Sequence, residues 1–328
     1  MSASPYSVIT AHRASNLIYE IALQAPKGIW VVPDNVCPAV PLALACAGAD
    51  LRFVDIDAET LCLDTGMVAQ LAKAERVVGV VYVRTFGVDT YAEKGLADLR
   101  KALPQAILID DVCIGVPQTV LPESSGAADV VLFSTGYGKV LDLDGGSHGF
   151  FKTQIGFILG GQTLARQAFE DLLAQSNAAI KTGKSVFTNF DFSAASLFKK
   201  GNPPAQEWSG LSQAINTDLP NRLAHKAKLN TIYAQGLSQF SPLAHGYQNW
   251  RFHIFVRNSE QTLEAMFGAG LFASRHYVPT STLWGVPSGH VSQKTAKNII
   301  NLFNDRYFSA KQAQHAVDII NKVGKPLA

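Results

Sequence analysis

The sequence predicts an α/β protein, with a large domain built on a mainly parallel sheet flanked by helices and a smaller C-terminal α/β domain. Three observations predict it. Short runs rich in Val, Ile and Leu alternate with longer stretches of helical spacing up to Ser134, the pattern of a parallel sheet covered on both faces. The length of 328 residues exceeds what one typical core holds. Beyond Pro242 the pattern changes, which places a boundary near residue 240 and gives domains 1–240 and 241–328.

The elements follow in order. Ile29 to Val32 reads as a buried strand stopped by Pro33, and Leu51 to Val54 as another closed by Asp55. Val77 to Val83, Ala106 to Ile109 and Val130 to Phe133 complete the strand set. Helical spacing lies between them, over Ser15 to Gln24, Pro41 to Ala47, Thr65 to Ala74 and Tyr91 to Ala102. Phe150 to Leu159 reads as a β-hairpin turning at Lys152-Thr153-Gln154, and Leu164 to Gln175 as a helix. The stretch from Asn177 to Asn216 has the least regular pattern, and a helix is expected over Arg222 to Ser238. In the C-terminal part, Trp250 to Val256 reads as a strand, Glu260 to Met266 as a helix, His276 to Pro279 as extended, and Gln293 to Phe303 and Ala310 to Val323 as helices.

Composition narrows the function. Hydrophobic residues make up 47% of the chain and charged residues 16%, which excludes a disordered protein. A net charge of +2 with dispersed lysines and arginines gives no electrostatic reason to expect nucleic acid or an anionic membrane. No uncharged apolar run has the length of a membrane helix. Met1 to Tyr6 lacks a basic region followed by an apolar one, so no secretory signal is visible and the cytoplasm is the expected location. Cys37, Cys46, Cys62 and Cys113 form no CxxC pair and read as core thiols; no metal is expected.

Parallel sheets bind ligands beyond the carboxyl ends of their strands, and two of these ends carry chemistry. One apolar run ends in Asp110-Asp111; the next ends in Ser134 and is followed by Gly136-Tyr137-Gly138-Lys139. A carboxylate and an amine at one sheet edge suit pyridoxal phosphate. A lysine holds its aldehyde, and a carboxylate keeps its ring nitrogen protonated so that the ring accepts electrons. Gly136 and Gly138 permit close backbone approach, and the Ser134 hydroxyl suits a phosphate. Ala14-Ser15 opens the first helix, where backbone amides favour an anion. Each feature also has a plain reading: paired aspartates and Ala14-Ser15 as helix caps, most lysines as solvated groups. Arg13, before the first helix, and His276-Tyr277, in an extended segment, are substrate-contact candidates or structural residues.

In order, these pieces resemble the nucleotide-sugar aminotransferase family of the DegT/DnrJ type, which has the fold-type-I aminotransferase architecture. Val31-Val32-Pro33 to Ala47-Gly48-Ala49, Phe53-Val54-Asp55-Ile56-Asp57, Leu108-Ile109-Asp110-Asp111 and Phe133-Ser134 to Lys139 carry the likeness. So do Phe252 to Val256, Gly270-Leu271, His276-Tyr277 and the closing Ser309 to Ile320 stretch. The resemblance implies a pyridoxal-phosphate-dependent aminotransferase that transfers an amino group to a nucleotide-linked keto sugar, within polysaccharide biosynthesis. It implies that Lys139 binds the cofactor's aldehyde, that Asp111 meets the pyridine nitrogen, and that Ser134 with the amides of Ala14 and Ser15 holds the phosphate. It implies that Asn189 reaches the phosphate of a neighbouring subunit in a homodimer. Sugar nucleotide and amino donor, with glutamate as the donor, are the implied small-molecule partners.

Four positions depart from the family's pattern. Cys37 stands where a ring stacks on the cofactor, Ile114 where a glutamine or histidine follows the key aspartate, Asp191 in place of an arginine, and Gly136 in place of an aromatic or histidine. These departures leave two alternatives open: a binding homologue without turnover, or a sugar lyase or dehydratase on the same fold. Lys139 speaks against the dehydratase variant, in whose relatives a histidine replaces the lysine.

Overall fold

The computed structural model describes residues 6–153, 156–157, 160–201 and 207–327. Its centre is a seven-stranded sheet of β1 (Tyr6–Ala11), β2 (Ile29–Pro33), β3 (Asp50–Val54), β4 (Val77–Val83), β5 (Ile107–Asp111), β6 (Val130–Ser134) and β7 (Ser147–Lys152), in the order β1-β7-β6-β5-β4-β2-β3. Strands β3, β2, β4, β5 and β6 pair in parallel, and β7 runs antiparallel to both of its neighbours, β6 and β1. Six strands therefore point their carboxyl ends to one edge, where β7 begins.

Strands buried on both faces need helices on both faces. On one face α1 (Ala14–Gln24), α2 (Ala39–Cys46) and α5 (Arg166–Thr182) cover Trp30, Val32, Val81, Ile109 and Phe151. On the other, α3 (Thr65–Ala74) and α4 (Ala92–Ala102) cover Val31, Val80, Leu108 and Phe133. Helix α3 is opened by Asp64, whose side chain accepts the Met67 amide.

A third apolar cluster unites the second half of the long helix α6 (Trp208–Gly236) with the C-terminal elements, through Leu229, Tyr233, Leu237, Ile254, Ile300 and Ile320. The C-terminal sheet is β10 (Phe252–Phe255), β12 (Ile299–Leu302) and β11 (Ala273–Ser274), in that order. Helices α7 (Ser259–Gly268), α8 (His290–Asn298) and α9 (Ala310–Val323) accompany it. Ser309 and Gln312 form a capping box at the start of α9. The remaining pair is the short β8 (Gln162–Leu164) with β9 (Phe198–Lys200).

Two sequence expectations are corrected. Phe150 to Leu159 is not a hairpin: Phe150 to Lys152 closes β7, whose partners are β1 and β6 from distant parts of the chain. Residues 154, 155, 158 and 159 of that expectation lie outside the described residues. Gln293 to Phe303 is not one helix. Ala296, Ile299, Ile300 and Phe303 fall at helical spacing, yet α8 ends at Asn298 and Ile299–Leu302 is the central strand of the small sheet. Pairing on both sides by β10 and β11 overrides the local period. Strand β1, which the sequence pattern did not indicate, is a half-buried edge strand.

Candidate active site

The carboxyl edge of the large sheet gathers the candidate residues. Residues Ala11, Ser147 and Ser134 stand side by side in register across β1, β7 and β6. The chain leaving β1 at Ala11 enters α1 at Ala14 after two intervening residues, so the α1 N-terminus and Ser134 share that edge. Asp111 ends the adjacent strand β5, and Cys37 follows β2 just before α2.

Successive strand residues point to opposite faces, and this separates the two aspartates. Asp110, fully buried, receives Arg84 through Nε at 3.0 Å and Nη2 at 2.6 Å, and the Ser125 hydroxyl at 2.7 Å. Arg84 also donates to Asp89. Asp110 thus belongs to a structural ion pair. Asp111 is 5% exposed, accepts the Cys113 amide at 2.9 Å, and touches no cation among the described residues. Burial pushes its carboxyl above the ordinary carboxylate range, against the Cys113 hydrogen bonds and the nearby Lys139 charge.

Lys139 is carried by a loop whose ends are tied. The Thr135 amide donates to the Gly146 carbonyl at 3.0 Å, the Leu143 amide to the Thr135 carbonyl at 2.8 Å, and the Lys139 amide to the Gly136 carbonyl at 3.2 Å. Gly138 has φ +73°, a conformation few side chains tolerate, immediately before the lysine. The half-buried Lys139 amine has no protein hydrogen-bond or ion-pair partner among the described residues. It lines a cavity of about 1520 Å³ together with Cys37, Ile114, Trp250, Arg251, His276 and Tyr277. Burial raises the Cys37 and Tyr277 pKa values, and both groups are electrostatic neighbours of Asp111.

The C-terminal segment that faces Lys139 is anchored to the large sheet. The Thr280 amide donates to the Asp34 carbonyl, and the Asp34 carboxylate accepts the Ser281 and Gly289 amides and the Ser292 hydroxyl. Asp55 accepts the Val291 and Ser292 amides at the start of α8. From the other side, Asn301 accepts the His276 amide and donates to His253 Nδ1. His276 and Tyr277 are thereby held at the cavity. Burial, with Arg251 and Lys139 nearby, lowers the His276 pKa to about 3 and keeps the ring neutral.

Of the residues the sequence singled out, Lys139, Cys37, His276 and Tyr277 line the cavity, and Asp111 and Ser134 lie at the strand ends beneath it. The Ser134 hydroxyl meets the Gly136 amide at 3.4 Å. Arg13 is drawn away, paired with Glu170 on α5. Asn189 is exposed beside the Phe187, Phe190, Phe192 and Trp284 ring cluster. Sequence reasoning missed Trp250 and Arg251, reading them only as the start of a strand. Trp250 donates from Nε1 to the Gly138 carbonyl at 2.6 Å and stacks on Tyr277 at 5.9 Å between centroids. No local signal in the sequence marks either residue.

No family model and no curated protein sequence matches the chain. Solved structures do. A DegT DnrJ EryC1 StrS aminotransferase from Brucella abortus is 14% identical, with a TM-score of 0.65 over 96% of this chain and 85% of that one. DesI, solved in the presence of its TDP-sugar product, is 16% identical, with a TM-score of 0.70 over 96% and 80%. The aminotransferase TlmJ from Streptoalloteichus hindustanus is 16% identical, with a TM-score of 0.70 over 96% and 85%. The chain has the fold of these fold-type-I aminotransferases.

Proposed function

We propose that the chain is a pyridoxal-phosphate-dependent aminotransferase whose acceptor is a keto sugar carried on a nucleotide. One observation carries the reading. A buried carboxylate without an ion-pair partner, Asp111, ends β5, and an amine without an ion-pair partner, Lys139, lines the cavity beyond the adjacent strand β6, near enough for its charge to act on Asp111. These are the two groups that the cofactor's ring nitrogen and aldehyde require, so the donor set fits. When bound, the cofactor supplies an electron sink.

The roles follow from position. Lys139 would hold the aldehyde and, once displaced by an amino donor, take up and return a proton at Nζ. Asp111 would keep the ring nitrogen protonated; a cation there also relieves the cost of its buried charge. The Ser134 hydroxyl and the amides of Ala14 and Ser15 would hold the phosphate at the α1 N-terminus. Cys37 would lie against a ring face, and Asn189 would serve the phosphate of a second subunit. The aminotransferase folds of DesI and TlmJ, and the TDP-sugar named with DesI, support the substrate class.

Absorbance spectroscopy tests this. Protein loaded with pyridoxal phosphate should convert it to pyridoxamine phosphate when glutamate is added, and should sediment as a dimer. A folded, loaded protein that converts no amino donor would favour the second reading, cofactor binding without turnover. That reading draws on Cys37 and Ile114, which replace a stacking ring and a polar side chain.

A further inference from the structure

The chain between β6 and β7 is held unevenly around Lys139. After the lysine, Val140 and Leu141 are buried, Leu141 against Leu211 and Ile215 of α6. Before it, Gly136-Tyr137-Gly138 has no such packing: Tyr137 is 86% exposed, and a Cβ added at Gly138 would meet nothing within 4 Å. Among the described residues, one hydrogen bond reaches this stretch from beyond β6 and β7. Trp250 Nε1 donates to the Gly138 carbonyl at 2.6 Å.

That bond acts on the lysine directly. The peptide joining Gly138 to Lys139 is planar, so its carbonyl and the Lys139 amide turn together. Trp250 holds the carbonyl side, and the Gly136 carbonyl accepts the amide side at 3.2 Å. With both sides bonded, the plane from which the Lys139 side chain departs is fixed.

Trp250 is itself seated firmly. Its buried ring lies parallel to that of Tyr277, at an interplanar angle of 3°, and the Arg251 guanidinium carbon stands 4.4 Å from its centroid. A buried indole N–H needs an acceptor, and the Gly138 carbonyl is the one it has. The Trp250 backbone carbonyl accepts Lys226 Nζ at 2.8 Å, and the second Lys226 acceptor is Asn304 Oδ1, also at 2.8 Å. Lys226 is buried and has no carboxylate partner among the described residues. Burying an amine against two neutral oxygens is costly, and one of its two bonds ties the Trp250 backbone to α6.

We propose that Trp250, seated by Lys226, is the positioning residue for Lys139: its indole N–H fixes the Gly138–Lys139 peptide and so aims the amine into the cavity. A lysine leaving a glycine-rich stretch samples many directions, and a fixed origin narrows them before a ligand arrives. The anchor comes from the C-terminal unit, so the docking of that unit also sets the direction of a side chain carried by the large sheet. What the aimed amine does rests on the aminotransferase reading; the anchor itself does not.

Two measurements test it. Pyridoxal phosphate offers Lys139 an aldehyde and pyridoxamine phosphate does not, so the ratio of their affinities reports the aim of the lysine and cancels damage to the rest of the site. Trp250→Phe keeps a ring and removes the N–H. It should lower pyridoxal phosphate affinity about tenfold, the scale of a small misplacement of a reacting group, and leave pyridoxamine phosphate affinity unchanged. In the whole chain without cofactor, amide hydrogen exchange over Thr135 to Gly146 should quicken in Trp250→Phe, as the Lys139 amide loses its fixed plane. Lys226→Met, an apolar side chain of similar length, should move both readouts in the same direction by a smaller factor, and covers the case in which Trp250→Phe fails to fold. An unchanged affinity ratio, whether both affinities fall or neither does, or unchanged exchange would each overturn the proposal. Failure of the aminotransferase reading shows separately, as a wild type that takes up neither compound; exchange then still decides whether Trp250 holds the loop.

Discussion

Two neighbouring aspartates divide structure from chemistry. Asp110 and Asp111 differ by one position and so by one face of β5: one meets Arg84, the other meets no cation. Their substitutions should therefore fail differently. Asp110→Asn removes the charge from a fully buried pair and should cost about 3–5 kcal/mol of stability, read as a lowered denaturant midpoint. Asp111→Asn should leave that midpoint near the wild-type value, or raise it, because a buried charge without a counterion is lost, while abolishing cofactor-dependent turnover. Equal destabilisation by the two would contradict the division. At this scale the sequence was informative where function imposes a residue type: a lysine after two glycines, an acidic strand end. It was silent on Trp250 and Arg251, because nothing local says that a strand entrance in the C-terminal part folds back onto the Gly138 carbonyl 112 residues away.

At the scale of elements, the buried parallel strands were legible because both their faces are apolar. The elements that failed are those defined by partners. Strand β12 reads as helix until β10 and β11 flank it, and β7 becomes a strand by pairing with β6 and β1. Burial of β7 has a measurable consequence. His148 is fully buried, stacked on Phe133, and meets the Gln118 carbonyl through Nε2 at 2.8 Å. Burial lowers its pKa from the ordinary 6.5 to about 4. The unfolded chain takes up the proton near 6.5 and the folded chain only near 4. The stabilisation from keeping this ring neutral is thus complete above pH 6.5 and lost as pH falls toward 4. The loss amounts to roughly 3 kcal/mol at about 1.4 kcal/mol per pKa unit. Urea titrations at pH 7 and pH 4.5 should show His148→Phe losing clearly less stability over that interval than the wild type. An identical pH dependence would show that His148 titrates normally in the folded state.

For the whole molecule, the sheet brings strand ends from the first half of the chain to one edge, and the C-terminal unit, tied down through Asp34 and Asp55, closes over it. The parallel order of strands and the position of the edge follow from the sequence pattern; the docking of the C-terminal unit does not, because it depends on carboxylates accepting backbone amides from more than 230 residues away. Among the described residues no helix is long and apolar enough to cross a membrane. The central claim is that this edge is a pyridoxal phosphate site in which one amine holds the cofactor. Borohydride reduction of the cofactor-loaded protein, followed by proteolysis and mass spectrometry, tests it most directly. The pyridoxyl group should be found on the peptide containing Lys139 and should be absent from Lys139→Ala; a label on any other lysine, or none at all, would contradict the account.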